Sequence, residues 1–189
     1  KRQILDCGQA IVGRKGFSAV GINAVLAAAG VPKGSFYHYF PSKDGFGEAL
    51  LDDYFARYIT QMDVLLATPG LSGRERLLGY WQRWIDNQCG DCNDGQCLAV
   101  KLGAEVSDLS EAMRLALARG TEAIIQRLAS GLDSARADRS LVLAEPATAL
   151  AARLYALWLG ASLLAKINRS AAPFAMALDE SVRALQAPV

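Results

Sequence analysis

The stretch AAAGVPKGSFYHYFPSKD, residues 27–44, decides how the amino-terminal part of this chain folds. The residues leading into it place apolar side chains on one face of a helix: Ile22, Val25, Leu26 and Ala29. Gly30 is suited to end that helix in the left-handed conformation, and Pro32 to lie where a second helix begins. The second helix, residues 33–40, is short and rich in hydrogen-bond donors. A donor-rich helix set by a tight turn against an apolar helix is typical of a helix–turn–helix DNA reader.

The rest of the sequence predicts an all-α protein, because runs with the two-residue period of strands are missing. We expect about nine helices, at residues 2–15, 22–29, 33–39, 43–67, 72–87, 95–106, 110–131, 146–168 and 173–186. Ser42 is the expected N-cap of the fourth helix, and Ser72 with Glu75 forms a capping box for the fifth. The expected organisation is an N-terminal three-helix DNA-binding domain, residues 1–48, followed by a larger helical ligand-sensing and dimerisation domain, residues 49–189.

Charge is distributed unevenly along the chain, although the net charge is only +1. Residues 1–48 hold six basic and three acidic side chains, whereas the remainder holds 14 basic and 16 acidic ones. Positive charge therefore concentrates where DNA phosphates would lie. The four cysteines, with no secretory segment before them, indicate free thiols in a reducing cytoplasm. No uncharged apolar run reaches about 18 residues, so no membrane span is expected.

Five short motifs in the first 48 residues resemble the DNA-binding signature of the TetR family of one-component transcriptional repressors. They are Gly-Phe at 16–17, Ala-Gly-Val at 29–31, Lys-Gly-Ser at 33–35, Tyr-His-Tyr-Phe at 37–40 and Pro-Ser-Lys-Asp at 41–44. The resemblance implies a double-stranded DNA operator as partner and six contact residues: Lys33, Gly34, Ser35, Tyr37, His38 and Lys43. Tyr39 is open to either role, and Phe36 and Phe40 are expected in the core. The chain departs from the family pattern at Val20-Gly21, where a serine or threonine often caps the second helix.

The eighth predicted helix contains ALAARLYALWLGASLLAKI, residues 149–167, and is apolar almost all round. A helix without a polar face must be covered on both sides, which favours a second copy of the chain as one cover. TetR-like proteins generally pair through their last two long helices, so the resemblance implies a homodimer. Two-fold symmetry would match a pseudo-palindromic operator. The alternative is a central helix in a monomeric bundle.

Three of the cysteines lie close together in the sequence, namely Cys89, Cys92 and Cys97. This spacing admits three interpretations. A zinc site would need a fourth ligand such as Asp91 or Asp94, because His38 belongs to the DNA-reading part. A cysteine nucleophile would need a histidine base, and the second domain has none, so an enzyme is not expected. The simplest alternative is that Cys97 packs as a small buried hydrophobe. We expect no metal and no cofactor.

Local charge favours a reactive thiol at Cys97 if Asp94 caps the sixth helix. Cys97 would then occupy the third helical position, where unpaired N–H groups and the helix dipole favour a thiolate. Lys101, one turn later, would add to this effect, whereas Asp91 and Asp94 oppose it. The resulting prediction is a depressed pKa of the Cys97 thiol.

Longer segments at residues 40–51, 95–114 and 154–170 are similar to the NemR-type repressors, a group of the TetR family that responds to reactive electrophiles and oxidants. This resemblance implies that Cys97 is the sensing thiol and Lys166 its basic partner, with Cys89 and Cys92 as accessory thiols. Modification of Cys97 is then expected to shift the sixth helix. Through the fourth helix, that shift would change the spacing of the two recognition helices and lower DNA affinity.

Two other functions are compatible with the residues. A repressor that binds a neutral or aromatic small molecule reversibly would use an apolar pocket, for which four residues are candidates: Trp81, Trp84, Tyr155 and Trp158. A tryptophan stripe at helical spacing is, however, more often part of a packed core. A module that binds DNA constitutively would have no sensor at all. Repression is the usual activity of the family, and no residue here excludes an activator.

Overall fold

The computed structural model describes residues 1–89 and 97–186, and in them it contains nine α-helices and no strand. The helices are α1 (Arg2–Lys15), α2 (Ile22–Ala29), α3 (Lys33–Tyr39), α4 (Lys43–Leu66), α5 (Gly73–Cys89), α6 (Leu98–Leu109), α7 (Glu111–Ala137), α8 (Ala147–Asn168) and α9 (Ala172–Ala184). The predicted all-α fold is therefore confirmed, and most helix bounds agree with the sequence to within about three residues.

The helices form two compact units. The first comprises residues 1–57 and the described part of 91–121, which contain α1, α2, α3, α6 and the beginnings of α4 and α7. The second comprises the described parts of 58–90 and 122–189, which contain α5, α8, α9 and the ends of α4 and α7.

The helix signals read from the sequence operate as expected. Gly30 ends α2 in the left-handed conformation with φ of 62°. Ser42 accepts a hydrogen bond at its Oγ from the Gly45 N–H, 3.0 Å away, at the start of α4. Ser72 N–H donates to Glu75 Oε2 over 2.8 Å, and Glu75 N–H donates back to Ser72 Oγ over 3.3 Å, so the capping box is confirmed. Gly21 caps α2 without a side-chain hydrogen bond.

An aromatic cluster holds α1 and the α3 region to the start of α4. Phe36 and Phe40 of the α3 region are buried, as predicted, and their ring centroids lie 5.2 Å apart. The Phe46 ring of α4 lies 5.4 Å from Phe36 and 5.2 Å from Phe40. A methyl group on Gly8 of α1 would come within 2.4 Å of Phe46, so α1 approaches this cluster at a residue without a side chain. This packing fixes the orientation of α3, the candidate recognition helix.

The end of α7 differs from its prediction. The seventh helix was predicted to end at residue 131, before the polar residues 133–140, but α7 continues to Ala137. Leu132 and Ala135 are buried and give this turn an apolar face, while Asp133 and Arg136 form an i,i+3 ion pair of 2.9 Å on the exposed side. The polar residues therefore occupy the solvent face of a helix instead of ending it.

The second unit is organised around α8. This helix buries Leu154, Trp158 and Ala161 among other residues, and it leaves Leu164 and Ile167 exposed. By length and composition alone, α8 could cross a membrane even though it contains two charged side chains, and 44% of its apolar window is buried inside the protein. The core helix of a soluble protein meets the same criterion.

Candidate functional site

The candidate DNA-contact residues lie together at α3 and the first turn of α4. Lys33, Tyr37 and His38 are exposed on α3, and Ser35 on the same helix is half-buried. A methyl group placed on Gly34 would meet nothing within 4 Å, so the backbone there is open to a close approach. Tyr39, for which both roles were open, is 43% exposed. One short helix thus presents ammonium, hydroxyl and imidazole groups to solvent, the donor set that phosphate and base edges require.

Lys43, the sixth candidate, begins α4 and is directed towards the turn that follows α1. Its Nζ lies 3.4 Å from the carbonyl oxygen of Ser18, to which it donates, and 4.8 Å from the centroid of the Phe17 ring. Phe17 itself is buried. The ammonium group is therefore held by protein groups in the absence of DNA.

Cys97 is placed differently from its prediction. It is the N-cap of α6, rather than the third residue of that helix, and only 9% of it is exposed. Asp91 and Asp94, which entered that prediction, lie outside the described residues. Burial raises the pKa of the Cys97 thiol, and hydrogen bonds from the N–H groups of Val100 and Ala99 and from the Tyr54 hydroxyl offset this only partly. The prediction of a depressed pKa is therefore wrong, because the removal of the thiol from water raises its pKa more than the hydrogen bonds at the start of α6 lower it.

The other candidate sensor residues are distributed over both units. Lys101 is half-buried on α6, one turn after Cys97, in the first unit. Lys166 belongs to the second unit and is exposed in the last turn of α8. Cys89 is the last residue of α5, and Cys92 lies outside the described residues. Among the residues that the structure describes, no three histidine, cysteine or acidic side chains are grouped as metal ligands would be.

Glu105 is a functional candidate that the sequence analysis missed. It lies on α6, one turn after Lys101 and two turns after Cys97, and it accepts hydrogen bonds from the N–H groups of Phe17 and Ser18. Partial burial raises the pKa of the Glu105 carboxyl, but the hydrogen bonds from Ser18 and Phe17 and the charge of Lys101 more than offset this, so the net shift is downward. The i,i+4 spacing of Lys101 and Glu105 was the available signal.

The four aromatic pocket candidates are brought together inside the second unit. Trp81 and Trp158 stack with ring centroids 4.7 Å apart, and all four residues are buried. Trp84 also borders a cavity of about 20 Å³, whose other lining residues are Tyr58, Gln61, Met62, Tyr80, Arg83 and Asn87. That volume holds about one water molecule, so in this conformation the cavity is too small for an aromatic ligand.

The sequence of this chain matches known proteins along nearly its whole length. Residues 4–50 match the family model of bacterial regulatory proteins of the tetR family, and residues 73–180 match that of the tetracyclin repressor-like C-terminal domain. The chain is 40% identical to the HTH-type transcriptional repressor NemR of Escherichia coli (strain K12) over 178 residues, which are 94% of this chain and 89% of NemR. It is 32% identical to the transcriptional regulator AcuR of Cereibacter sphaeroides over 88% of this chain and 76% of AcuR.

The structural similarity is equally extensive. The crystal structure of the reduced form of Escherichia coli NemR superimposes with a TM-score of 0.94 at 39% sequence identity, and the match covers 100% of this chain and 97% of that one. These relatives are regulators of transcription. The chain therefore belongs to the TetR family of bacterial transcriptional regulators and is a DNA-binding regulator rather than an enzyme.

Proposed function

We propose that this protein is a homodimeric repressor that binds a pseudo-palindromic operator in the cytoplasm and is released when a reactive electrophile or oxidant modifies Cys97. Residues 1–48 would serve as the DNA-binding domain and residues 49–189 as the sensor and dimerisation domain. The observation that carries the proposal is the 40% identity to the repressor NemR along nearly the whole chain, together with a cysteine at the N-cap of α6.

The DNA-reading part of the proposal rests on the exposed face of α3. Lys33, Gly34 and Ser35 form its first turn and would reach base edges and nearby phosphates, with the open backbone at Gly34 permitting a close approach. Tyr37 and His38 would contact phosphate or thymine. Lys43 would bind phosphate by exchanging its present contact with the Ser18 carbonyl for a charged partner.

The homodimer is supported by an apolar face of α8 that the described residues of this chain leave uncovered. Leu157, Leu163, Leu164 and Ile167 are between 36% and 66% exposed, although they lie on one side of the same helix. A methyl group on Gly160, on that side, would meet nothing within 4 Å, so another helix could approach closely there. A contiguous apolar surface of this kind usually marks an interface, and a two-fold pair would present two α3 helices to two half-sites.

The sensor part of the proposal follows from the chemistry and burial of Cys97. With a maleimide, the sulfur forms a bond to one carbon of the C=C double bond, the π bond breaks, and the thiol proton ends on the neighbouring carbon. The adduct adds bulk at a site that is 9% exposed, so the start of α6 must move to accommodate it. Lys101 is a basic group on the same helix, and Lys166 is retained as a basic partner on the resemblance alone.

Substitution of Cys97 by serine is expected to abolish release from the operator. In wild type, we expect N-ethylmaleimide or hypochlorite to weaken operator binding by about 5–150-fold, the range typical of coupled sites. Cys97→Ser should bind as tightly before treatment and show no weakening after it, because serine keeps the size of the side chain without the nucleophile. Fluorescence anisotropy of a labelled operator measures both affinities.

Cys7→Ser is the matched control, because Cys7 is a half-buried thiol of α1 and should leave release intact. Parallel variants of Cys89 and Cys92 determine whether these thiols contribute. Normal release of Cys97→Ser would contradict the proposal. If a reversible small-molecule ligand releases the protein from the operator and thiol-modifying agents do not, the pocket interpretation is favoured. If neither kind of compound releases it, a constitutive DNA-binding module is favoured.

Removal of either candidate lysine is expected to weaken operator binding and its salt dependence. In a dimer, each of Lys33→Ala and Lys43→Ala removes two phosphate contacts per operator and should reduce the slope of log K against log salt concentration by about 1.8, or about 0.9 for each contact. Operator titrations at several salt concentrations measure the slope, with binding expected at two chains per operator. Arg136→Ala, which removes an exposed cation from the second unit, is the control. Unchanged affinity and slope in both lysine variants would refute the assignment.

A further inference from the structure

Within the first unit, α6 contacts both α1 and the turn that follows α1. At its beginning, Leu98 follows directly on Cys97, and a methyl group on Gly13 of α1 would lie 3.7 Å from Leu98 Cδ2, an ordinary packing distance. Two turns later, Glu105 reaches the turn that joins α1 to α2. α6 therefore touches both the body of α1 and the turn that follows it.

The contact of Glu105 with this turn is specific and bidentate. Its Oε1 accepts a hydrogen bond of 2.6 Å from the Ser18 N–H, and its Oε2 accepts one of 3.2 Å from the Phe17 N–H. Both N–H groups lie beyond the end of α1, and the carboxylate supplies their acceptors. The carboxylate approaches so closely that a Cβ on Gly16 would come within 3.0 Å of Oε2, and Gly16 also has a φ of 87°, which favours glycine.

The same turn is held from its other side by α4. Lys43 donates to the Ser18 carbonyl, and its ammonium lies over the Phe17 ring. Gly47, one turn further along α4, has no room for a side chain, because a Cβ there would lie 2.8 Å from the Phe17 ring and 2.3 Å from Met113 Sδ of α7. Residues 16–18 are thus fixed on one side by a carboxylate of α6 and on the other by a DNA-contact candidate of α4.

We propose that Glu105 is a positioning residue for DNA binding, which holds the turn at residues 16–18 and thereby sets the orientation of α2 and α3. It does so without touching DNA, since it acts through the backbone of Phe17 and Ser18. Because α6 begins beside Cys97, a displacement of α6 would also pull on this turn. That second part of the inference rests on the proposed sensor function, whereas the positioning role does not.

Replacement of Glu105 by alanine tests the positioning role in the full-length, unmodified protein. We expect Glu105→Ala to weaken operator binding at least tenfold and to accelerate hydrogen exchange at the Phe17 and Ser18 amides, with little change in the melting temperature. Asp108→Ala, which removes an exposed carboxylate from the same helix, should stay within twofold of wild type in affinity. Glu105→Gln should recover part of the affinity, because its amide oxygen can accept one of the two hydrogen bonds.

A Glu105→Ala protein that binds the operator within twofold of wild type would overturn the inference, whatever its melting temperature. So would a loss of affinity with unchanged exchange at Phe17 and Ser18, because the effect would then not pass through the turn. Treatment with N-ethylmaleimide tests whether a displacement of α6 acts through this turn. Complete alkylation of Cys97 should weaken operator binding by Glu105→Ala much less than operator binding by wild type. If wild type itself is not released, the sensor proposal fails, while the untreated proteins still decide the role of Glu105.

Discussion

The rate at which iodoacetamide alkylates Cys97 in the folded protein is expected to rise more steeply between pH 7 and pH 9 than the rate of an ordinary thiol, by more than about 25-fold in total. The thiolate is the reacting species, and burial raises the pKa of the Cys97 thiol. The thiolate fraction therefore keeps increasing throughout this range. In the reaction the sulfur displaces iodide and forms a bond to carbon, so peptide mapping by mass spectrometry measures the product at this cysteine separately from the other three.

The same cysteine in the denatured chain provides the control. An ordinary thiol with a pKa of about 8.5 levels off near that pH, so its rate should increase only about 25-fold over the same range. The folded protein should also react more slowly than the denatured chain at every pH, because Cys97 is 9% exposed. A rate in the folded protein that is flat above pH 7 would contradict this prediction and would indicate a thiolate already formed at neutral pH.

A protonated and buried thiol suits a switch that responds to strong electrophiles and not to weak ones. Weak electrophiles encounter little thiolate at neutral pH, whereas strong ones react during the brief exposure of the site. Under the proposed sensor function, the same burial would make the adduct effective, because a group attached to a filled site would displace the start of α6. Low basal reactivity and a large response to modification would then have one structural cause.

The helices could be predicted from the sequence because their ends carry local signals. Gly30, Ser42 and the Ser72–Glu75 pair act on neighbouring residues only, so their effect does not depend on the tertiary fold. The end of α7 could not be predicted in this way. Its last turns are stabilised by the burial of Ala135 against Gly73 of α5, a contact between residues far apart in sequence.

The candidate site was predictable to a more limited extent. Motifs predicted six candidate DNA-contact residues, which the structure places on α3 and at the first residue of α4. The pKa of Cys97 could not be predicted, since it depends on how completely the fold removes the thiol from water and on the distant Tyr54 hydroxyl. Glu105 was missed because its partners, the N–H groups of Phe17 and Ser18, carry no side-chain signal and lie 88 and 87 residues away in the chain.

Trp158 is the centre of the core of the second unit. It is completely buried, and its ring is stacked against Trp81 at a centroid distance of 4.7 Å and against Phe174 at 6.2 Å. Its indole N–H donates to Ser181 Oγ over 2.9 Å, which ties α8 to α9. A neighbouring bond of the same kind, from the Trp84 indole N–H to Ser162 Oγ, ties α5 to α8. Three helices of the unit thus meet at this ring.

Trp158→Ala is expected to lower the free energy of unfolding by about 3–5 kcal/mol, because it leaves a cavity that rigid aromatic neighbours cannot fill. The melting temperature should fall by roughly 6–20 °C for a chain of this size, measured by calorimetry at a fixed protein concentration. Trp158→Phe keeps a stacked ring and should lose less. Arg153→Ala, at an exposed position of the same helix, should change the free energy by at most about 0.5 kcal/mol. A loss for Trp158→Ala as small as that of Arg153→Ala would show that the stacked indoles do not hold α5, α8 and α9 together.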